Sequence, residues 1–346
     1  MKVSIAIVTY NHEAFIAKAL DSVLMQRTNF EYEIVIGEDC SNDNTRDIVS
    51  AYKRRYPDII QLFLNEKNLG MHENGAQVLQ ACKGEYIAML DGDDYWTSPD
   101  KLQKQADFLD NHPECTVCFH DALIVHEDKS EEPTRYRTKQ KEFSTVEDLL
   151  IDNFIPTAAV MYRRGLIGRV PWAEALKMGD WVIHILNALH GKIGYIDEIM
   201  SVYVVHRGGV WSTKDSKSML LSIVDLFEAL DKHLGARYTR IIGRILRWRY
   251  FILAGVYENS SDLVTAKTYA IKSIARHLSI IMEPVRFINN IDTNPDVLLP
   301  NYIKSINTAC LFKTFLRLYL VPIFKFYVPS IYKSFRAIVL KLGLMH

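Results

Sequence analysis

The first hundred residues alternate β-rich apolar runs with segments of helical period, and this alternation limits the fold more than any other feature of the chain. Val3–Val8 is a strand-forming run that stops at Thr9-Tyr10-Asn11. Phe15, Ile16, Ala19, Leu20, Val23 and Leu24 then recur at helical spacing, with Asn11 or His12 near the cap. The pattern returns with strands over 33–37, 59–64 and 85–90 and helices over 44–55 and 74–82. A further helix opens at Ser98-Pro99, Ser as cap and Pro in the first turn. Strands separated by helices predict a mostly parallel, doubly wound α/β sheet. Such sheets carry their chemistry outside the carboxyl ends of the strands. Thr9, Asp39 and Asp91 all fall at such ends.

Downstream, Cys115–Phe119 reads as a strand and 127–141 as a charged surface excursion containing Pro133. Ser144-Thr-Val-Glu147 matches a capping box. A strand over 157–162, a helix over 180–190 and two last strands over 193–196 and 200–205 follow. Beyond them the pattern is helical, in stretches over 217–233, 237–257 and 262–282. The expected division is a catalytic domain over 1–212, a helical region over 213–290 and a basic amphipathic tail over 291–346.

Charge is unevenly placed. The chain has 41 Lys+Arg and 41 Asp+Glu, yet its last acidic residue is Asp296, and seven basic residues follow (Lys304, Lys313, Arg317, Lys325, Lys333, Arg336, Lys341). An acidic body with a basic tail suggests an anionic partner for the tail. Its apolar stretches between basic residues are far shorter than the roughly 20 residues that span a bilayer. An amphipathic helix lying among anionic headgroups fits, at on the order of 1 kcal/mol per basic residue; a final helix packed on the body is the alternative. Nucleic acid is not expected, because no reader motif accompanies the basic residues. The five cysteines are scattered, and Cys115 and Cys118 read as buried thiols, since no second pair completes a zinc site. The N-terminus lacks a signal-peptide pattern, which places the expected location in the cytoplasm.

Asp91-Gly92-Asp93-Asp94 directly follows the apolar run Tyr86–Leu90. Three carboxylates at a strand end repel one another unless a cation or a network of donors is present. A hard divalent ion with oxygen ligands, Mn²⁺ or Mg²⁺ arriving with substrate phosphates, resolves that repulsion; a solvated acidic turn is the plainer reading. Asp39 could accept the imide N–H of a uracil or thymine ring, or serve with Asp43 as a turn and cap residue. Tyr10 could stack on a base or simply pack. His120-Asp121 could touch an acceptor or form an ordinary internal contact.

Val-Thr-Tyr-Asn at 8–11, Gly-Glu-Asp-Cys-Ser-Asn-Asp at 37–43, Asn68-Leu69-Gly70, Asp-Gly-Asp-Asp at 91–94, Gly179-Asp180-Trp181 and the stretch from Tyr203 through His206 to Ser212 together resemble the family 2 glycosyltransferases of the GT-A fold, in particular bacterial members that build surface polysaccharides. The resemblance covers about 1–212. It implies that Thr9, Tyr10 and Asp39 hold the nucleoside, that Asp91 meets the ribose or phosphate side, and that Asp93 binds the metal bridging the diphosphate. His206 would add a metal or diphosphate contact from a mobile loop containing Gly208 and Gly209, or be a solvated loop histidine. Asp180 would be the catalytic base, although it would also make a good helix N-cap. One departure stands out: many relatives carry Asp-Asp-Gly-Ser where this chain has Glu38-Asp39-Cys40-Ser41.

The expected function is metal-dependent, inverting transfer of a hexosyl or N-acetylhexosaminyl group from a UDP-sugar to a hydroxyl of a saccharide or lipid-linked saccharide, at the cytoplasmic face of the inner membrane. Two rivals remain. A sugar-nucleotide-forming nucleotidyltransferase would need a glycine- and basic-rich phosphate loop where the chain has Thr-Tyr-Asn-His-Glu. A non-catalytic sugar-nucleotide-binding protein would bind donor with metal and never turn it over. A dinucleotide oxidoreductase is set aside because no GxGxxG follows the first strand.

Overall fold

The computed structural model describes residues 1–168, 170, 172, 176, 179–209 and 215–282. The chain divides into two compact units, Met1–Thr213 and Lys214–His346. The tail expected over 291–346 lies outside the described residues, as do Val210–Ser212 of the last motif.

The first unit is built on one mixed sheet. Its parallel half comprises β1 (Val3–Thr9), β2 (Tyr32–Glu38), β3 (Ile60–Leu64) and β4 (Tyr86–Asp91). The other half is β5 (Tyr95–Trp96), β6 (Cys115–His126), β9 (Val160–Arg163) and β10 (Lys192–Val205), with short β7 (Thr134–Arg135) on β6 and β8 (Phe143–Ser144) on β10. The order is β3-β2-β1-β4-β9-β6-β10-β5. Strand β9 runs antiparallel to both β4 and β6, whereas β6 and β10 are parallel.

The two-residue period of the strands explains the layers. Ile5, Ile7, Ile34, Ile36 and Leu90 point to one face. There they meet Ile16, Leu20 and Val23 of α1 (Ile16–Leu24), Val49 of α2 (Thr45–Arg55) and Leu102 and Leu109 of α4 (Lys101–Asn111). Ala6, Val35 and Ile87 point the other way, against Val78 and Cys82 at α3 (Met71–Ala81). Each fully buried Leu, Ile or Val contributes about 1.5–3 kcal/mol relative to exposure. Cys115 and Cys118 are buried free thiols within β6, as expected.

Several local expectations shift. The helix after Ser98-Pro99 starts at Lys101 behind Asp100, whose N–H is received by Ser98 Oγ at 3.3 Å. The capping box of α5 (Val146–Ile151) sits one residue later than expected: Thr145 is the cap and Asp148 closes the box, because Ser144 is engaged as a strand residue. The strand expected over 157–162 opens as a 3₁₀ turn over Thr157–Ala159 before β9. The two strands expected over 193–205 are one, bent by register shifts around Ile196–Ile199.

The second unit contains α7 (Ser216–His233), α8 (Ala236–Asn259) and α9 (Leu263–Met282). Asp215 caps α7 by accepting the Ser218 N–H at 2.9 Å. Glu228 of α7 receives Tyr250 Oη of α8 at 2.7 Å and Lys272 Nζ of α9 at 2.9 Å, tying the three helices together. No described helix is long and apolar enough to cross a membrane.

Candidate active site

Three strand ends lie side by side. Val8 stands opposite Gly37 of β2 and Asp91 of β4 in register, so residues just beyond them emerge at one edge. Backbone bonds lock the exits: Asp39 N–H donates to the Thr9 carbonyl at 3.0 Å and Gly92 N–H to the Val8 carbonyl at 2.9 Å.

The 91–94 loop is held from below. Asp94 is buried, and its Oδ1 receives the Val204 N–H of β10 at 2.8 Å. That bond draws the end of β10 under the loop, and His206, two residues on, reaches Asp93: Nε2 to Oδ2 is 3.0 Å. On the other side His12 Nε2 stands 3.7 Å from the same Asp93 oxygen, with its Nδ1 3.3 Å from Thr9 Oγ1. Phe15 packs against the His206 ring, centroids 4.5 Å apart. A Cβ at position 92 would come within 2.7 Å of Thr9 Oγ1 and 2.8 Å of His12 Nδ1, so only glycine lets these side chains close over the loop.

The protonation pattern follows from burial and charge. Burial first, then the charges of Asp93 and Asp180, push the Asp91 carboxyl up to about 8. Burial with Asp93 and Asp91 pushes Asp94 well above the usual carboxylate range. For Asp93 burial acts upward, but the hydrogen bond from His206 and the fields of both imidazoles outweigh it and hold it low. The Asp93 bond raises His206, whereas burial lowers His12. A crowded acidic site at a strand end, with one ionised carboxylate between two imidazoles, suits a divalent cation and the phosphate oxygens it would bring. Among the described residues no group of three or more His, Cys, Asp or Glu side chains is placed to hold a metal ion by itself.

Asp39 is more occupied than its expected role requires. Its Oδ1 receives the Leu69 N–H at 2.8 Å and Asn65 Nδ2 at 3.1 Å, and its Oδ2 the Gly70 N–H at 2.9 Å. Of roughly four acceptor positions on a carboxylate, these bonds take three. Asp39 therefore anchors the Asn68-Leu69-Gly70 loop and keeps one acceptor position on Oδ2. Glu38 is buried and receives the Ser41 N–H at 2.6 Å. Tyr10 is 38% exposed at the edge, its hydroxyl 3.3 Å from Asn42 Nδ2. Thr9 is buried, with its hydroxyl turned to His12 and Gly92. Cys40, where the family pattern has glycine, takes φ +60°, and Asn11 takes φ +54°.

Asp180 lies in the first turn of α6 (Gly179–Ala188). The helix begins at Gly179, one residue ahead of it, so Asp180 is inside the helix rather than at the N-cap position the sequence allowed. Its charge adds to the upward push on the Asp91 carboxyl. The ring of His72, from α3, packs against Gly179. His120 and Asp121 stay internal: Asp121 is fully buried and receives Arg135 Nε at 2.6 Å and the Arg137 N–H at 3.1 Å, tying down the 127–141 excursion. An acceptor contact there is thereby withdrawn. His12 and His72 carried no signal in the sequence, because their neighbours are distant in the chain and only the fold supplies them.

A mixed sheet of this order, with its acidic loops gathered at the carboxyl edge of β1, β2 and β4, defines a GT-A-type α/β protein. Two solved structures share the fold: TarS 1–349 of S. aureus in complex with UDP-GlcNAc (TM-score 0.52, 18% identity, 80% of this chain and 92% of that one) and the mannosyltransferase PcManGT of Pyrobaculum calidifontis in complex with GDP-Man and Mn²⁺ (TM-score 0.52, 16% identity, 92% and 86%). The family model described as glycosyl transferase family 2 matches residues 4–169. TuaG of Bacillus subtilis, named as a candidate teichuronic acid biosynthesis glycosyltransferase, is 32% identical over 213 residues, 61% of this chain and 82% of its own. The chain belongs to glycosyltransferase family 2. An uncharacterized Mycobacterium tuberculosis protein, Rv1520, is 41% identical over 209 residues; the match spans 60% of this chain and 60% of that relative's length.

Proposed function

We propose that the chain transfers a sugar, with inversion, from a UDP-sugar to a hydroxyl of a saccharide or lipid-linked saccharide in surface-polysaccharide synthesis. The observation that carries this reading is the hydrogen bond between His206 and Asp93 in the loop that follows Asp91, at the edge where β1, β2 and β4 end. Tyr10 offers an exposed ring on which a base can stack, and Asp39 keeps one acceptor for an imide N–H. Asp91 lies where ribose or phosphate would come. Asp93 and His206 would hold Mn²⁺ or Mg²⁺, whose charge, when bound, would offset that of the departing nucleoside diphosphate. Asp180 takes the acceptor proton as the hydroxyl attacks.

The named relatives support the polysaccharide setting, since TuaG bears a teichuronic acid designation. The basic tail would bring the enzyme to the cytoplasmic leaflet. Assay of transfer from UDP-sugars by wild type, Asp180→Asn and Asp93→Ala tests the roles. Removing a catalytic base costs about 10²–10⁴-fold, so Asp180→Asn should lose transfer while still binding UDP. Wild-type turnover in both variants would refute the assignment.

A further inference from the structure

Helix α4 packs a polar patch against the sheet that no step of the proposed transfer uses. Lys101 and Gln105 stand one turn apart on α4, with His120 of β6 and Ser201 of β10 in the facing strands, and all four are fully buried. Strand register puts them in one layer. Cys118, His120 and Ala122 alternate onto a single face of β6, and Ser201 stands opposite both Ala122 and Trp96 of β5. Gln105 Nε2 donates to the Cys118 carbonyl at 3.1 Å and to the Ala159 carbonyl at 2.9 Å. Lys101 Nζ lies 3.8 Å from the centre of the Trp96 ring. The layer borders the 91–94 loop: Trp96 follows Asp94 by two positions, and Ser201 precedes Val204, whose N–H holds Asp94, by three.

Each of these side chains carries one buried polar atom with no protein partner: Lys101 Nζ, Gln105 Oε1, His120 Nε2 and Ser201 Oγ. Buried polar atoms are rarely left so, and here their chemistry specifies what meets them. His120 Nδ1 lies 2.8 Å from the Asp121 carbonyl, which can only accept, so the ring proton sits on Nδ1 and Nε2 offers a lone pair. Burial first, and then Lys101, keep the ring neutral, its pKa pushed down to about 3. Gln105 Oε1 also only accepts. Two such acceptors repel an anion, and the lysine amine repels a cation. What fits is a molecule that accepts from Lys101 while donating to its neighbours, and a buried water makes about three such bonds. We propose that the layer between α4 and strands β5, β6 and β10 is a binding site for ordered internal water, held by Lys101, Gln105, His120 and Ser201.

The test is a crystal structure of the full chain grown with bromide, at a resolution that orders single waters. Density is expected within about 3.2 Å of Lys101 Nζ and of at least two of the other three atoms, without anomalous signal. A bromide peak there overturns the proposal in favour of an anion site. Lys101 Nζ bonded directly to His120 Nε2, with no density between them, overturns it as well. Magnetic relaxation dispersion of the water oxygen gives a second reading in solution, comparing wild type with Ser201→Val, whose added methyl groups would displace the water. The variant should lose the contribution of at least one long-lived water, thermal unfolding confirming that it is folded. Should Ser201→Val not fold, His120→Leu takes its place. Unchanged dispersion in a folded variant overturns the proposal.

Discussion

Cys40 holds a backbone conformation that costs a non-glycine residue about 1–2 kcal/mol. Its position between Asp39 and Ser41, both engaged in hydrogen bonds, keeps it there. Glycine adopts that conformation without steric cost but loses more chain entropy on folding. Cys40→Gly should therefore stabilise the protein by about 0.5–1 kcal/mol in urea unfolding; destabilisation would mean that the thiol's contact with the Glu66 carbonyl outweighs the strain. Lys101 presents the opposite case. Its amine is fully buried over the Trp96 ring, 3.8 Å from the centroid, with no hydrogen-bond partner for Nζ. Burial holds its pKa well below the usual lysine range, while the unfolded chain keeps that proton up to about pH 10.4. The unfolded state then binds more protons, so stability rises with pH between the folded and unfolded values, by up to about 1.4 kcal/mol per pH unit. Lys101→Met should raise the melting temperature near neutral pH and remove that slope. A persisting slope would place its origin elsewhere.

At the scale of elements, Asp121 is the tie between β6 and the excursion that carries β7. Asp121→Ala should cost about 2 kcal/mol, since hydrogen bonds to a charged group contribute roughly 1.5–3 kcal/mol each and Arg135 is partly solvated. Limited proteolysis should then cut within 127–141; an uncut, fully stable variant would contradict this tie. The parallel half of the sheet was legible in the sequence because each strand is a short apolar run broken by polar residues where it ends. Strand β9 was not, since nothing local to Val160–Arg163 states that it slots antiparallel between β4 and β6. The bend in β10 looks like a gap in the sequence for a related reason: Asp197, Glu198 and Ile199 are exposed and break the apolar run, yet the pairing continues past them. Asp93 and His206 were legible as motif residues. That Asp94 binds Val204, and that Asp39 anchors 68–70, depends on distant backbone groups that a linear reading does not supply.

Along the whole molecule, a family 2 unit is followed by a helical unit and a basic tail. The tail proposal predicts that deleting 305–346 releases the protein from vesicles containing anionic lipid, scored by sedimentation with and without salt; equal binding by the shortened chain would remove it. The proposed function has acidic and imidazole side chains from separate strand ends grip one cation-borne diphosphate. Its most direct test is the thermal unfolding of wild type and Asp93→Ala with UDP, each with and without Mn²⁺. Ligand at about 100 times its dissociation constant adds about 2.7 kcal/mol to the native state. A clear rise is expected for wild type only when UDP and Mn²⁺ are present together, and little or none for Asp93→Ala. Equal shifts in both proteins, or none in wild type, would contradict it.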